Sequence, residues 1–212
     1  MQRFLKPQYL IAILYPAFIL LDVLGLGGEL SNALKLTGVA CCLWIAAAQT
    51  KGRGTNCIAA AFFTLTADIF LLFTRCHTLG VAVFCAAQAF RSLQFGMRKK
   101  LLGAVAVMGA AASGAVYALG LPLLYAVSTL YAVLLLANMV YAFVKRGRGF
   151  RLARWGMVLF VLCDMHVAAA NLPWLPVYNA AFLLSWVFYM PSQLLLALSG
   201  AYMFQEGEDA VG

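Results

Sequence analysis

LFVLCDMH, residues 159–166, sets a carboxylate, Asp164, and an imidazole, His166, in the middle of an apolar run. LTADIFLLF, residues 65–73, does the same with Asp68. What surrounds these runs decides the fold. Of the 212 residues, 65% are hydrophobic and only 10% charged, more apolar sequence than a water-soluble domain of this size uses. A helix needs roughly 20 apolar residues to cross hydrocarbon, and only helices and closed barrels satisfy their backbone there. Barrel strands would alternate apolar and polar positions, and these runs do not. The expected class is an all-α integral membrane protein.

Eight apolar spans are expected, at about 8–27, 34–50, 55–74, 78–96, 101–120, 122–144, 154–171 and 178–204. GLGG, TKGRGTN, GMRKK, LGLP, KRGRGFR and NLPWLP punctuate them, as turn-forming residues do. The whole chain, 1–212, is expected to be a single polytopic domain. The first span starts too late and runs too long for a signal peptide, so it is expected to stay as a membrane helix.

The basic residues sort by side. The amino terminus and the loops after even-numbered spans collect Arg3, Lys6, Lys51, Arg53, Arg91, Arg98, Lys99, Lys100, Lys145, Arg146, Arg148, Arg151 and Arg154, leaving Lys35 and Arg75 for the other side. Thirteen against two is the pattern of the positive-inside rule. Both termini are therefore expected in the cytoplasm, with the protein in a bacterial inner membrane. The net charge of +8 is assigned to anionic headgroups rather than to nucleic acid. The six cysteines form no CxxC pair and read as small buried residues. Trp155, Trp174 and Tyr178 lie near span ends, as an aromatic belt would have them. The small residues of VAVMGAAASGAVYALG (105–120) suit close helix packing.

Asp22, Asp68 and Asp164 lie inside spans. A charge at the bilayer centre costs at least ~2.5–3.5 kcal/mol on insertion scales, and the default reading is a functional site. Asp68 lies eleven residues after Cys57 and Asp164 nine after Trp155, so the two sit within about 3 Å in depth. Neighbouring carboxylates resist ionising together, so one can serve as acid and the other as base. Asp22 is deeper and is a candidate third acid. Gln88, Gln193 and Asn138 fall near the same level and can join helices by hydrogen bonds. Tyr189 and Gln193, four residues apart, share a face. His166 lies roughly 200° from Asp164 around the helix, which suits a helix contact better than a metal ligand. There is no HExxH, no serine triad pattern and no phosphate loop; no metal or cofactor is expected. Asp68 and Asp164 each fall on the third helix of a set of four, so two parallel four-helix halves are a further expectation.

TADIFLLF, HTLGVAVFCAAQAF, MVLFVLCDMHVAAANLP and SWVFYMPSQLLLALSG, in that order, resemble the YhhN-type lysoplasmalogenase family from about Lys35 to Ser199. The family's Asp in the third span is matched by Asp68, and its following motif by Leu79–Gly80, Phe84 and Gln88. Its second Asp is matched by Asp164, and its Tyr-x-x-x-Gln signature by Tyr189 and Gln193. Ala67, Gln88 and Cys163 stand where the family usually has Gly, His and Ser. The resemblance implies hydrolysis of the vinyl ether bond of lysoplasmalogens, with Asp68 and Asp164 catalytic. Gln88, Tyr189, Gln193 and Asn138 would contact substrate, and Asp68 is the expected base because Gln88 is expected beside it. The expected partners are a lysophospholipid and membrane lipid. Two other readings use the same acids: a proton-coupled carrier of a small or amphipathic solute, and a non-catalytic lipid-binding relative. A carrier would show helices broken at mid-depth in both halves, whereas Pro16 and Pro191 do not correspond.

Overall fold

The computed structural model describes residues 7–171 and 179–209, with side chains in the last helix described for residues 183–205. Trp174, Tyr178, Arg3, Lys6 and most of NLPWLP lie outside the described residues, as do the side chains of Glu206, Glu208 and Asp209. The described chain forms eight helices and no strand: α1 (Pro7–Val23), α2 (Gly28–Gln49), α3 (Thr55–Phe73), α4 (His77–Gln94), α5 (Lys99–Ala118), α6 (Leu123–Val144), α7 (Arg148–Asn171) and α8 (Asn179–Asp209). Six helical stretches are long and apolar enough to cross a membrane: α2, α3, α5, α6, α7 and residues 183–205 of α8. The 17-residue α1 is shorter. The helix α4 spends His77, Gln88, Arg91, Ser92 and Gln94 on polar positions.

Most helix limits fall within a few residues of the expected spans. The exceptions are informative. The amino-terminal end of α2 reaches back six residues beyond the apolar run, because Ser31 and Lys35 face Asp22 and are buried. The helix α7 also starts early, carrying Arg148, Arg151 and Arg154 on its first turns. Breaks follow turn chemistry. Gly96 and Gly120 sit at φ +75° and +78° just past α4 and α5, in the left-handed region that glycine enters without steric cost.

Neighbour relations close a ring. In order, α2, α3, α4, α6, α7 and α8 each pack on the next, and α8 returns to α2. The two remaining helices lie outside it, α1 against α2 and α8, and α5 chiefly against α6. Ile45, Ala46, Ala67, Ala87, Met157, Phe160, Met190 and Leu196 fill the interior. Tight seams rest on glycine. A Cβ on Gly149 of α7 would come within 3.0 Å of the Ser199 carbonyl oxygen and the Met203 amide nitrogen of α8. On α5 the expected close packing is confined to Val105 and Gly109, where Gly109 meets Leu130 and Val133 of α6. Gly103 and Gly114 face open space. The small residues of that segment are mostly outward, and a small-residue run alone does not say which way it faces. Leu101, Val107, Met108, Tyr117 and Leu119 are exposed there, as residues against lipid would be.

Candidate functional site

Asp68, on the inner face of α3, is 4% exposed. The Tyr189 hydroxyl of α8 donates to its Oδ2 at 2.7 Å. Asp164, on α7, keeps partial exposure. The Tyr131 hydroxyl of α6 donates to its Oδ2 at 2.6 Å. The two acids therefore have the same kind of partner, a phenol from another helix of the ring. Both are short, well-formed O–H···O hydrogen bonds.

Aromatic rings line the space between the pairs. Tyr131 meets Phe84 with centroids 5.7 Å apart, Phe84 meets Phe160 at 6.1 Å, and Phe160 meets Tyr189 at 5.6 Å. Trp186 continues the row at 5.1 Å from Tyr189. The site is thus a polar pair of pairs in an apolar, aromatic surround. Such a setting excludes water and strengthens electrostatic interactions at a reacting centre.

The other expected site residues divide. Gln88 does not reach Asp68 by a hydrogen bond. Its Oε1 accepts from Asn138 Nδ2 at 2.9 Å, and Asn138 Oδ1 accepts from Ser92 at 2.7 Å. This buried amide network ties α4 to α6, and the ground for making Asp68 the base is removed. Gln193 shares the face of Tyr189 as expected and lines a small internal cavity one turn away. Asp22 contacts neither Asp68 nor Asp164. It accepts a 2.6 Å hydrogen bond from Ser31 and lies 2.8 Å from Lys35 Nζ. Lys35 is itself buried, with its ammonium 5.0 Å from the Trp186 ring centroid. His166 bonds the Leu162 carbonyl oxygen at 2.7 Å and packs on Phe188 of α8.

Sequence reasoning missed Tyr131, Arg91, Thr64 and Lys35. Tyr131 stands seven residues before Asn138, two turns along one face, and that spacing was a usable signal. Arg91 follows Gln88 by three residues on the buried face of α4, but it was counted among the loop charges. Thr64 precedes Asp68 by one turn. Lys35 was read as one of two basic residues on the far side.

One buried and one partly buried acid–phenol pair inside a ring of apolar helices define a helical membrane protein with a polar core. The chain belongs to the YhhN family, whose family model matches residues 30–200. Neither a curated protein nor a solved structure matches it.

Proposed function

We propose that this protein is an intramembrane hydrolase that cleaves the vinyl ether bond of lysoplasmalogen-type lysolipids. In this reading it is one polytopic domain whose eight helices all cross a bacterial inner membrane, with both termini in the cytoplasm. The observation that carries it is the pairing of two carboxyls, Asp68 buried and Asp164 partly buried, each with a tyrosine hydroxyl, at the two ends of one row of contacting aromatic rings inside one helical ring. Acids at this depth are costly to keep. A lone structural hydrogen bond would need one of them, not two similar pairs.

The reaction needs one carboxyl as acid and one as carboxylate. The acid transfers its proton to the alkenyl carbon distal to the ether oxygen, and positive charge develops at the oxygen-bearing carbon. The carboxylate stabilises that charge and takes a proton from the water that adds there. The hemiacetal so formed collapses to a fatty aldehyde and a free glycerol hydroxyl. The aromatic row supplies an apolar wall for the alkenyl chain, and the two tyrosines hold the carboxyl groups in register. Asn138 ties α6, which carries Tyr131, to α4. The substrate reaches the ring sideways from lipid.

The test is aldehyde release from a lysoplasmalogen by purified protein in detergent. Asp68→Asn and Asp164→Asn should each lower kcat by about 10²-fold or more, the usual scale for a general acid or base. Release that survives both changes sinks the proposal. Absent release, with proton-driven solute flux abolished by the same changes, would favour the carrier.

A further inference from the structure

Arg91 is a buried cation without a carboxylate. Its side chain lies at the end of α4, is 2% exposed, and its Nε has no hydrogen-bond partner. Among the described residues no acidic side chain lies within ion-pair distance of it. An arginine withdrawn from water in this way is normally paired. Beside it is an internal cavity with about 10 Å³ of water-accessible space, room for about one oxygen-sized group. Thr64 and Gln193 line that cavity, and Thr64 Oγ1 and Gln193 Nε2 are likewise buried without partners. Its remaining walls are Val39, Cys42, Cys57, Ala61 and Ala197. Three hydrogen-bonding groups, one of them charged, thus converge on one small space. Arginine is the side chain suited to anionic phosphate oxygens.

The position is as telling as the chemistry. Thr64 precedes Asp68 by four residues, and Gln193 follows Tyr189 by four. Asp68 bonds Tyr189 and the two polar residues share the cavity, so α3 and α8 run antiparallel here. The cavity then lies one turn from the carboxyl, about 6 Å along the helix axis. In a lysophospholipid five bonds separate the phosphorus from the ether oxygen, on the order of 6 Å when extended, given bond lengths of about 1.5 Å.

The geometry points to a phosphate-oxygen site formed by Arg91, Thr64 and Gln193, which anchors the phosphodiester of the lysolipid headgroup one turn below Asp68. This deepens the hydrolase reading and rests on it for the identity of the substrate. Arg91 and Thr64 supply donors, and the Gln193 amide supplies a third. The free space admits one oxygen at a time, and the anionic oxygen of the headgroup is the group that enters it.

Binding to the purified full-length protein in detergent, read by calorimetry, tests this without turnover. The probes are a 1-O-alkyl lysophospholipid, the matching 1-O-alkylglycerol without phosphate, and inorganic phosphate. Wild type should prefer the lysophospholipid over the alkylglycerol by about tenfold or more, the scale of a hydrogen bond to a charged group. Arg91→Gln should erase that preference and leave alkylglycerol binding unchanged. Thr64→Val and Gln193→Leu, which keep the charge, should each reduce it in part. They decide the matter if Arg91→Gln does not fold. No preference in wild type, or an unchanged preference in Arg91→Gln or in both milder variants, overturns the site. Competition by inorganic phosphate that is lost in Arg91→Gln supports an anion site open to free phosphate. An intact preference without such competition assigns the site to lipid-borne phosphate. If the preference holds but no aldehyde is released from a lysoplasmalogen, the reaction fails and the anion site stands.

Discussion

Replacing Tyr189 by phenylalanine deletes one oxygen and keeps the ring against Phe160 and Trp186. A hydrogen bond to a charged group contributes about 1.5–3 kcal/mol, so Tyr189→Phe should lower kcat for aldehyde release about tenfold to hundredfold. Steady-state kinetics with a coupled aldehyde assay checks this; an unchanged kcat would make Tyr189 a packing residue. At this scale the sequence was legible where an acid interrupts an apolar run, because the energetic penalty is visible in one residue. Asp68 and Asp164 were found that way, and Tyr189 and Gln193 by their spacing together with the family motif. Partners were not legible. Gln88 was placed by depth to meet Asp68, and only the rotation of α4 decides that Gln88 turns to Asn138. Arg91 was hidden for the same reason, since hydropathy counts a charge near a span end as a loop charge and says nothing of the direction it faces.

Helix packing makes its own forecast. The α7–α8 seam closes over Gly149, where even a Cβ meets backbone atoms of α8. Backbone cannot rotate away as a side chain can, and overpacking typically costs about 1–3 kcal/mol. Gly149→Val should therefore lower the thermal unfolding midpoint in detergent and reduce yield. Gly103→Ala and Gly114→Ala on α5, where nothing lies within 4 Å, should be neutral. Equal effects at the two helices would contradict the packing described above. Helix existence was legible because apolar runs of this length have few alternatives in lipid. Helix starts were not. The first turns of α2 look polar in sequence, yet Lys35 and Ser31 are buried by their bonds to Asp22, a pairing that joins residues from two helices.

Across the whole molecule, the side on which each loop lies can be read chemically. Cys76, between α3 and α4, is exposed, whereas Cys41, Cys42, Cys57 and Cys163 are buried. In the proposed orientation, with the amino terminus in the cytoplasm, that loop faces outward. A membrane-impermeant maleimide should label Cys76 on intact spheroplasts and fail on the Cys76→Ser variant. Labelling confined to inverted vesicles would reverse the orientation. The asymmetry of basic residues was legible because it is summed over many positions. Closure of the ring was not, since it depends on α4 meeting α6 past the intervening α5, and nothing in the apolar pattern marks α5 as the helix left outside. That exclusion has a genetic consequence. Most of the circumference of α5 answers to lipid alone, so selection there acts on apolar character and hardly on residue identity. Its codons should drift faster than those of any ring helix, and a saturation library should tolerate almost any aliphatic residue except at Gly109.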